Sequence, residues 1–319
     1  MPSHSRRAFL RTSTGVLAIG LSAKFSTAAI PRFAAAPQSA PDLPSDHGKK
    51  PLRLGLILGF GNDPDAAIAK VRDLGLPTCQ LFADNFDSAN ASRLRQALDK
   101  YSIEATALVV GGPGPEVYDF YHGPLTIGLV PRDTRATRIA QITKASDFAK
   151  LCGIPAVQTH CGFIPEDPNE PLYKEVVQAI REVSSYCKSN QQYFRCETGQ
   201  ETPITLVRTL RDAGTDNLGV NFDLANLILY GKANPVDAIE VLAPYIQGIH
   251  AKDGLWPTNP KDLGEEVPIG QGKVDFPRII ARLKALHYSG AVTIEREISG
   301  AQQMADVRAS IAYLQKLIG

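Results

Sequence analysis

Residues 218–254 read LGVNFDLANLILYGKANPVDAIEVLAPYIQGIHAKDG, and their alternation of apolar and polar positions decides the fold. Two short apolar runs, 218–222 and 245–249, each end on a metal-capable side chain, Asp223 after the first and His250 after the second. A helix start lies between them. Asn234 is placed to accept from orphan amides, Pro235 suits the first helical position, and Val236, Ile239, Glu240 and Ala243 follow at three-and-four spacing. The order is strand, loop, helix, strand. This βαβ unit carries a functional side chain at the C-terminal end of each strand, where parallel α/β proteins place their ligands.

The unit repeats in both directions. Before it come strands at 52–58, 78–82, 103–110, 156–159 and 193–196, the fourth ending at His160 and the fifth at Glu197. Helices at 63–74, 88–100, 133–151, 171–189 and 203–212 separate them, the first opened by the cap-then-proline pair Asp63-Pro64. After it come a helix at 277–286 capped by Asp275, a strand at 291–294 ending at Glu295, and a helix at 302–317. Eight strands alternating with eight helices predict an α/β fold, a single (β/α)8 TIM barrel over residues 52–319. Gly61, Gly111, Gly112 and Gly114 complete no phosphate-binding pattern and read as a flexible lip of the barrel mouth.

At 319 residues and 44% hydrophobic composition, the chain can bury a sizeable core. Its net charge of +1 lacks the basic excess of nucleic-acid binders, so no nucleic-acid partner is expected. The five cysteines are odd in number and form no CxxC pair, which suggests neither a disulfide framework nor a zinc knuckle. They read as small core residues, with Cys161, beside His160, the one that invites another role.

The first fifty residues form a separate unit. SRRAFLR at 5–11, followed by a moderately apolar acid-free run at 12–21, resembles a twin-arginine export leader. Residues 1–36 then read as a signal peptide ending in Ala34-Ala35-Ala36, and 37–51 as a Pro/Ser/Asp-rich linker. The expected location is the periplasm. The apolar run is too short to span a bilayer, so no membrane contact is expected after leader cleavage, and a homo-oligomer is compatible with the composition.

In such a barrel the strand ends converge, which gathers His160, Glu197, Asp223, His250 and Glu295. Two Glu, one Asp and one His from four consecutive strands make an oxygen-rich site suited to a divalent metal ion such as Mn2+, Mg2+, Co2+ or Zn2+. Each residue alone has a structural alternative, as a loop cap, an ion-pair partner or a hydrogen-bonded core histidine. Their shared placement favours the metal.

The segments QTHCGFIP (158–165), ETGQET (197–202), FDLANLILYG (222–231), HAKDG (250–254), VPIGQGKVDF (267–276) and VTIERE (292–297) resemble the xylose-isomerase-like TIM-barrel superfamily, its sugar-phosphate isomerase/epimerase group in particular. The resemblance implies metal ligands at Glu197, Asp223, His250 and Glu295, with Glu297 on the same strand face as Glu295. It also implies a small carbohydrate substrate and metal-assisted proton transfer through an enediolate, with Glu197 and Glu295 as catalytic carboxylates. Ketose 3-epimerases of the superfamily carry a histidine three residues after the sixth-strand aspartate, where this chain has Asn226. Asparagine carries no proton, so a different substrate or reaction is implied. Among substrate contacts, Lys252 shares a strand face with His250 and competes with an ion-pair role toward Asp253 or a glutamate. His160 is a proton relay or contact, and Trp256 a stacking surface or loop anchor. The alternatives are lyase or hydratase β-elimination on an oxidised (3-keto) sugar or glycoside, a non-catalytic sugar-binding barrel, and an endonuclease-type hydrolase.

Overall fold

The computed structural model describes residues 51–83 and 85–319, so the expected leader and nearly all of the linker lie outside the described residues. The parallel strands β1 (Arg53–Gly59), β2 (Thr78–Phe82), β3 (Glu104–Val109), β4 (Ala156–His160), β5 (Tyr193–Glu197), β6 (Leu218–Asp223) and β7 (Ile246–Ala251) follow one another. A small antiparallel ribbon, β8 (Asp253–Gly254) with β9 (Glu266–Val267), precedes the last barrel strand, β10 (Ala291–Ile294). The order β1-β10-β7-β6-β5-β4-β3-β2 closes the barrel, with Leu54 opposite Val292 and Leu56 opposite Ile294 at the seam.

Eight helices surround it: α1 (Pro64–Asp73), α2 (Ser88–Tyr101), α4 (Arg132–Cys152), α5 (Pro171–Ser189), α6 (Pro203–Ala213), α8 (Pro235–Leu242), α9 (Phe276–Ala285) and α10 (Ala301–Ile318). Their starts are chemically marked. Asp63 accepts from the Ala66 amide at 3.0 Å, and Asn234 from the Val236 amide at 2.9 Å, each just before a proline at the first helical position. The expected strict alternation is broken by two further short helices among the described residues, α3 (Gly123–Thr126) and α7 (Leu224–Leu229), and by the ribbon. Residues 224–229 read as loop in sequence. They are helical because Asp223 caps them and because all six side chains are buried.

The two faces of the strands differ in chemistry. Outward, toward the helices, stand Leu81, Leu108, Val157, Phe194, Phe222, Ile249 and Val292, all buried. Inward stand Gln80, Gln158, Arg195, Asn221, His250 and Thr293, also buried, so polar groups fill the part of the barrel that aliphatic layers usually occupy. Gly248 makes room for this layer, since a Cβ there would sit 2.5 Å from Asn221 Oδ1.

The long segment after β7 is fastened by Asp253. Its Oδ1 accepts from the amides of Gly254 (2.9 Å) and Val274 (3.2 Å), and its Oδ2 from those of Gly270 and Gly272 (both 2.9 Å). The VPIGQGKVDF segment thus folds around a buried carboxylate, which explains its glycines: a Cβ on Gly272 would lie 2.1 Å from Asp253 Oδ1. The lip at 111–131 is likewise anchored. The buried Arg138 guanidinium donates to the carbonyls of Gly128 (2.7 Å) and Pro115 (3.3 Å), and Gly112 lies against it. Asp253→Ala should strip four amides of their acceptor and destabilise the fold by about 2–4 kcal/mol, measured as a lower denaturant midpoint. A midpoint unchanged within error would show that the loop holds itself.

Candidate metal centre

Glu197, Asp223, His250 and Glu295 are brought together at the C-terminal ends of β5, β6, β7 and β10, each offering a ligand atom within 4.8 Å of the others. His250 Nδ1 lies 2.9 Å from Glu197 Oε1, 3.2 Å from Glu295 Oε2 and 3.5 Å from Asp223 Oδ2. All four residues are buried. His250 Nδ1, Asp223 Oδ2 and Glu295 Oε2 are inaccessible to water yet have no hydrogen-bond partner. Orphaned donor atoms converging on one point fit a cation, because burying them unpaired is strongly unfavourable. Glu295 rather than Glu297 joins the cluster from the eighth barrel strand. Glu297 is largely exposed and pairs with Lys252 at 2.8 Å.

Three of the four donors are aimed by a partner on their far side. Asp223 caps α7 through Oδ1, which accepts from the Asn226 amide at 2.7 Å, and this leaves Oδ2 for the cluster. His250 Nε2 lies 2.8 Å from Gln80 Oε1, while Gln80 Nε2 donates to Asn221 Oδ1 at 3.2 Å. With the amide so oriented, Gln80 accepts from His250 Nε2, which would leave Nδ1 to serve a metal ion in the neutral ring; burial opposes charge on the imidazole, but the facing Glu197 and Glu295 outweigh it and raise its pKa well above the ordinary range. Glu197 Oε2 accepts from Gln158 Nε2 at 2.9 Å, which turns Oε1 inward. Glu295 stands one residue past β10, tied by its amide to the Ala251 carbonyl at 3.0 Å.

A family model described as xylose isomerase-like TIM barrel matches residues 68–317. The chain belongs to this family. A solved xylose isomerase domain protein from Planctomyces limnophilus is 35% identical, with a TM-score of 0.78 over 84% of this chain and 97% of that one. An uncharacterized protein of Methanocaldococcus jannaschii is 27% identical over 222 residues, 65% of this chain and 69% of the relative. The fold is also that of a D-psicose 3-epimerase solved in the presence of D-fructose, 16% identical with a TM-score of 0.65, over 84% of this chain and all 100% of that one.

The charges of this family member's centre are strongly coupled. Burial alone would favour the neutral carboxyls, but Lys252 and His250 hold Glu295 well below the ordinary range, and His250 with His160 holds Glu197 below it. Asp223 differs, burial pushing it up to about 7 against the pull of Lys252. Burial opposes the charge on Lys252, yet Glu295, Asp223 and Glu297 outweigh it and keep the ammonium protonated. Asp253 does not pair with Lys252, because that carboxylate is used by four amides on the opposite strand face.

The other residues singled out in sequence divide. His160 lies beside the centre, its Nε2 3.8 Å from Glu197 Oε1, and it meets the Tyr118 ring edge-on at 5.7 Å between centroids. Lys252 Nζ donates to Asn226 Oδ1 at 3.2 Å and sits 3.3 Å from Glu295 Oε2, so Lys252 and Asn226 form one buried pair bordering the cluster. Trp256 is 38% exposed on the segment between β8 and β9. Cys161 is fully buried, and burial holds its thiol well above its ordinary range, which makes it a core residue. A cavity of about 340 Å³ opens over the centre, lined among others by Phe82, Glu116, Tyr118, His160, Glu197 and Glu295.

Gln80, Gln158, Asn221 and Glu116 had no assigned role in the sequence. For the first three a signal existed: a polar residue at an inward-facing position, two before a site residue or within an apolar strand. Glu201 is a further case. It is buried with both carboxylate oxygens unpartnered, and burial pushes it up to about 8. In the unfolded chain it ionises near ~4.3, so between these values the unfolded state binds fewer protons and stability falls as pH rises. Glu201→Gln removes that loss. Its stability advantage over the natural chain should grow by on the order of 3 kcal/mol from pH 5 to pH 8 in denaturant titrations. A constant difference would mean that Glu201 is ionised and paired in the folded state.

Proposed function

We propose that this protein is a divalent-metal-dependent isomerase or epimerase that moves a proton next to a carbonyl in a sugar or sugar derivative. The observation that carries this reading is the set of orphaned donor atoms of Asp223, His250 and Glu295, gathered with Glu197 beneath an open cavity. Glu197, Asp223, His250 and Glu295 would hold the ion. Bound there, a divalent ion supplies Lewis-acid polarisation of a carbonyl and stabilisation of the negative charge left by proton removal.

The chain's own groups handle the proton. Glu295 lies 3.3 Å from the Lys252 ammonium, which favours its ionised form, and lines the cavity, so it serves as the base toward a substrate carbon. Glu197 stands across the centre and takes the complementary transfer, with His160 near enough to pass its proton outward. Opposite-face transfer by the two carboxylates gives epimerisation. One carboxylate shuttling between neighbouring carbons gives isomerisation. Lys252, kept in place by Asn226 and Glu297, adds positive charge beside the reacting oxygens. With the leader expected at residues 5–11, we place this chemistry in the periplasm, after folding and metal loading in the cytoplasm.

Protein folded in the cytoplasm should contain about one divalent ion per chain by elemental analysis, and chelation should lower its melting temperature. Neither change would be seen in a non-catalytic barrel without a metal. In deuterated water, incubation with ketoses and 3-keto-glycosides should exchange one carbon-bound hydrogen without loss of the substituent. Glu295→Gln and Glu197→Gln should each lower that exchange by about 10²–10⁴-fold at unchanged circular dichroism. Full exchange in both variants would refute the assignment, and an unsaturated product absorbing in the ultraviolet would move the reaction to elimination.

A further inference from the structure

The cavity over the centre contains four carboxylates, Glu116, Glu197, Glu295 and Glu297, and no lysine or arginine among its described lining residues. Three neighbouring cations are already engaged. Lys252 is buried against Glu297, Glu295 and Asn226. Arg138 is buried behind the lip with its guanidinium on two carbonyls, and Arg296 pairs with Glu266 at 3.0 Å and Asp306 at 2.8 Å. Glu197 and Glu295 belong to the centre and Glu297 to Lys252. Among the described residues Glu116 has only one long ion-pair contact, 3.9 Å from Arg138 Nη2 to its Oε1.

Its position is built rather than accidental. Glu116 comes from the loop between β3 and α4, away from the strands that bear the metal donors. Arg138 lies behind it at 3.9 Å, Gly111 leaves room beside its Oε2, and its side chain is 16% exposed. No hydrogen bond from a described residue reaches its oxygens, so a cavity-facing acceptor stands ready without a donor. Phosphate and carboxylate groups are commonly recognised by free guanidinium or ammonium groups, and no lysine or arginine is among the described residues lining this cavity. Hydroxyl groups supply the donors that a carboxylate lacks.

We propose that Glu116 orients the substrate by accepting hydroxyl hydrogen bonds at the end remote from the reacting carbon, and that the substrate is a neutral polyhydroxy compound rather than a phosphate ester or a sugar acid. The inference rests on the proton-transfer reading above. It adds a substrate class and a specificity-determining residue.

The test uses the metal-loaded full chain with neutral ketoses and 3-keto-glucosides, each paired with its monophosphate, and reads deuterium exchange by NMR. Exchange should be confined to neutral members. A monophosphate turned over as well as its neutral partner overturns the inference while leaving the proton-transfer reading intact. Silence across both series, with metal bound, defeats the reading and the inference together. On the active neutral compound, Glu116→Gln should lower kcat/KM about 10- to 100-fold, mainly through KM, at unchanged metal content and melting temperature. An unaltered KM, or a loss that tracks only a lower melting temperature, removes Glu116 from substrate recognition.

Discussion

Three buried donor atoms without hydrogen-bond partners, on Asp223, His250 and Glu295, are the constraint around which the upper half of the barrel is arranged. Placing them within 4.8 Å of one another, together with Glu197, is unfavourable unless a cation joins them or protons are retained. The chain tolerates the arrangement because three of the four clustered side chains are held by their other atom. Gln80 takes the far nitrogen of His250, Gln158 the far oxygen of Glu197, and the first turn of α7 the far oxygen of Asp223. A polar interior, costly in an ordinary barrel, is here the support of the centre.

The strand period of two lets one short sequence serve both the centre and its surroundings. In HAKDG, His250 and Lys252 face inward, to the cluster and to Glu295. Asp253, on the opposite face, gathers the amides of residues 254, 270, 272 and 274. The loop that forms part of the barrel mouth is thereby fixed to the strand carrying His250. Displacing one would disturb the other, which links the stability of a distant-looking loop to the geometry of the centre.

The repeated βα pattern and the strand-end donors were legible in sequence because both follow from periodicity: apolar runs mark strands, and a polar residue ending such a run at the C-terminal edge reaches the common mouth. Helix starts at Asp63-Pro64 and Asn234-Pro235 were legible because capping is local chemistry. The helical state of 224–229 was not, since it depends on Asp223 acting as cap and donor at once. Neither were Gln80 as the partner of His250, 170 residues away, nor the gathering of loop amides by Asp253, because long-range pairings leave no period in the chain. The choice between Glu295 and Glu297 also needed three dimensions: both share a strand face, and only the height in the barrel separates donor from ion-pair partner.

The two central glutamates are not equivalent, and the difference bears on direction of proton transfer. Glu197 is more deeply buried, its Oε2 occupied by Gln158 and its Oε1 beside His250 and His160. Any proton it accepts competes with the Gln158 hydrogen bond or leaves through His160. Glu295 has Lys252 beside Oε2, while its Oε1 accepts no hydrogen bond from a described residue, and its side chain borders the cavity. A carboxylate with one oxygen turned to the centre and the other unclaimed is the better placed to meet a carbon-bound hydrogen directly. On the proposed proton-transfer reading, this asymmetry would place abstraction at Glu295 and return of a proton on the Glu197–His160 side, which corresponds to inversion of a carbon rather than a shuttle along a single face.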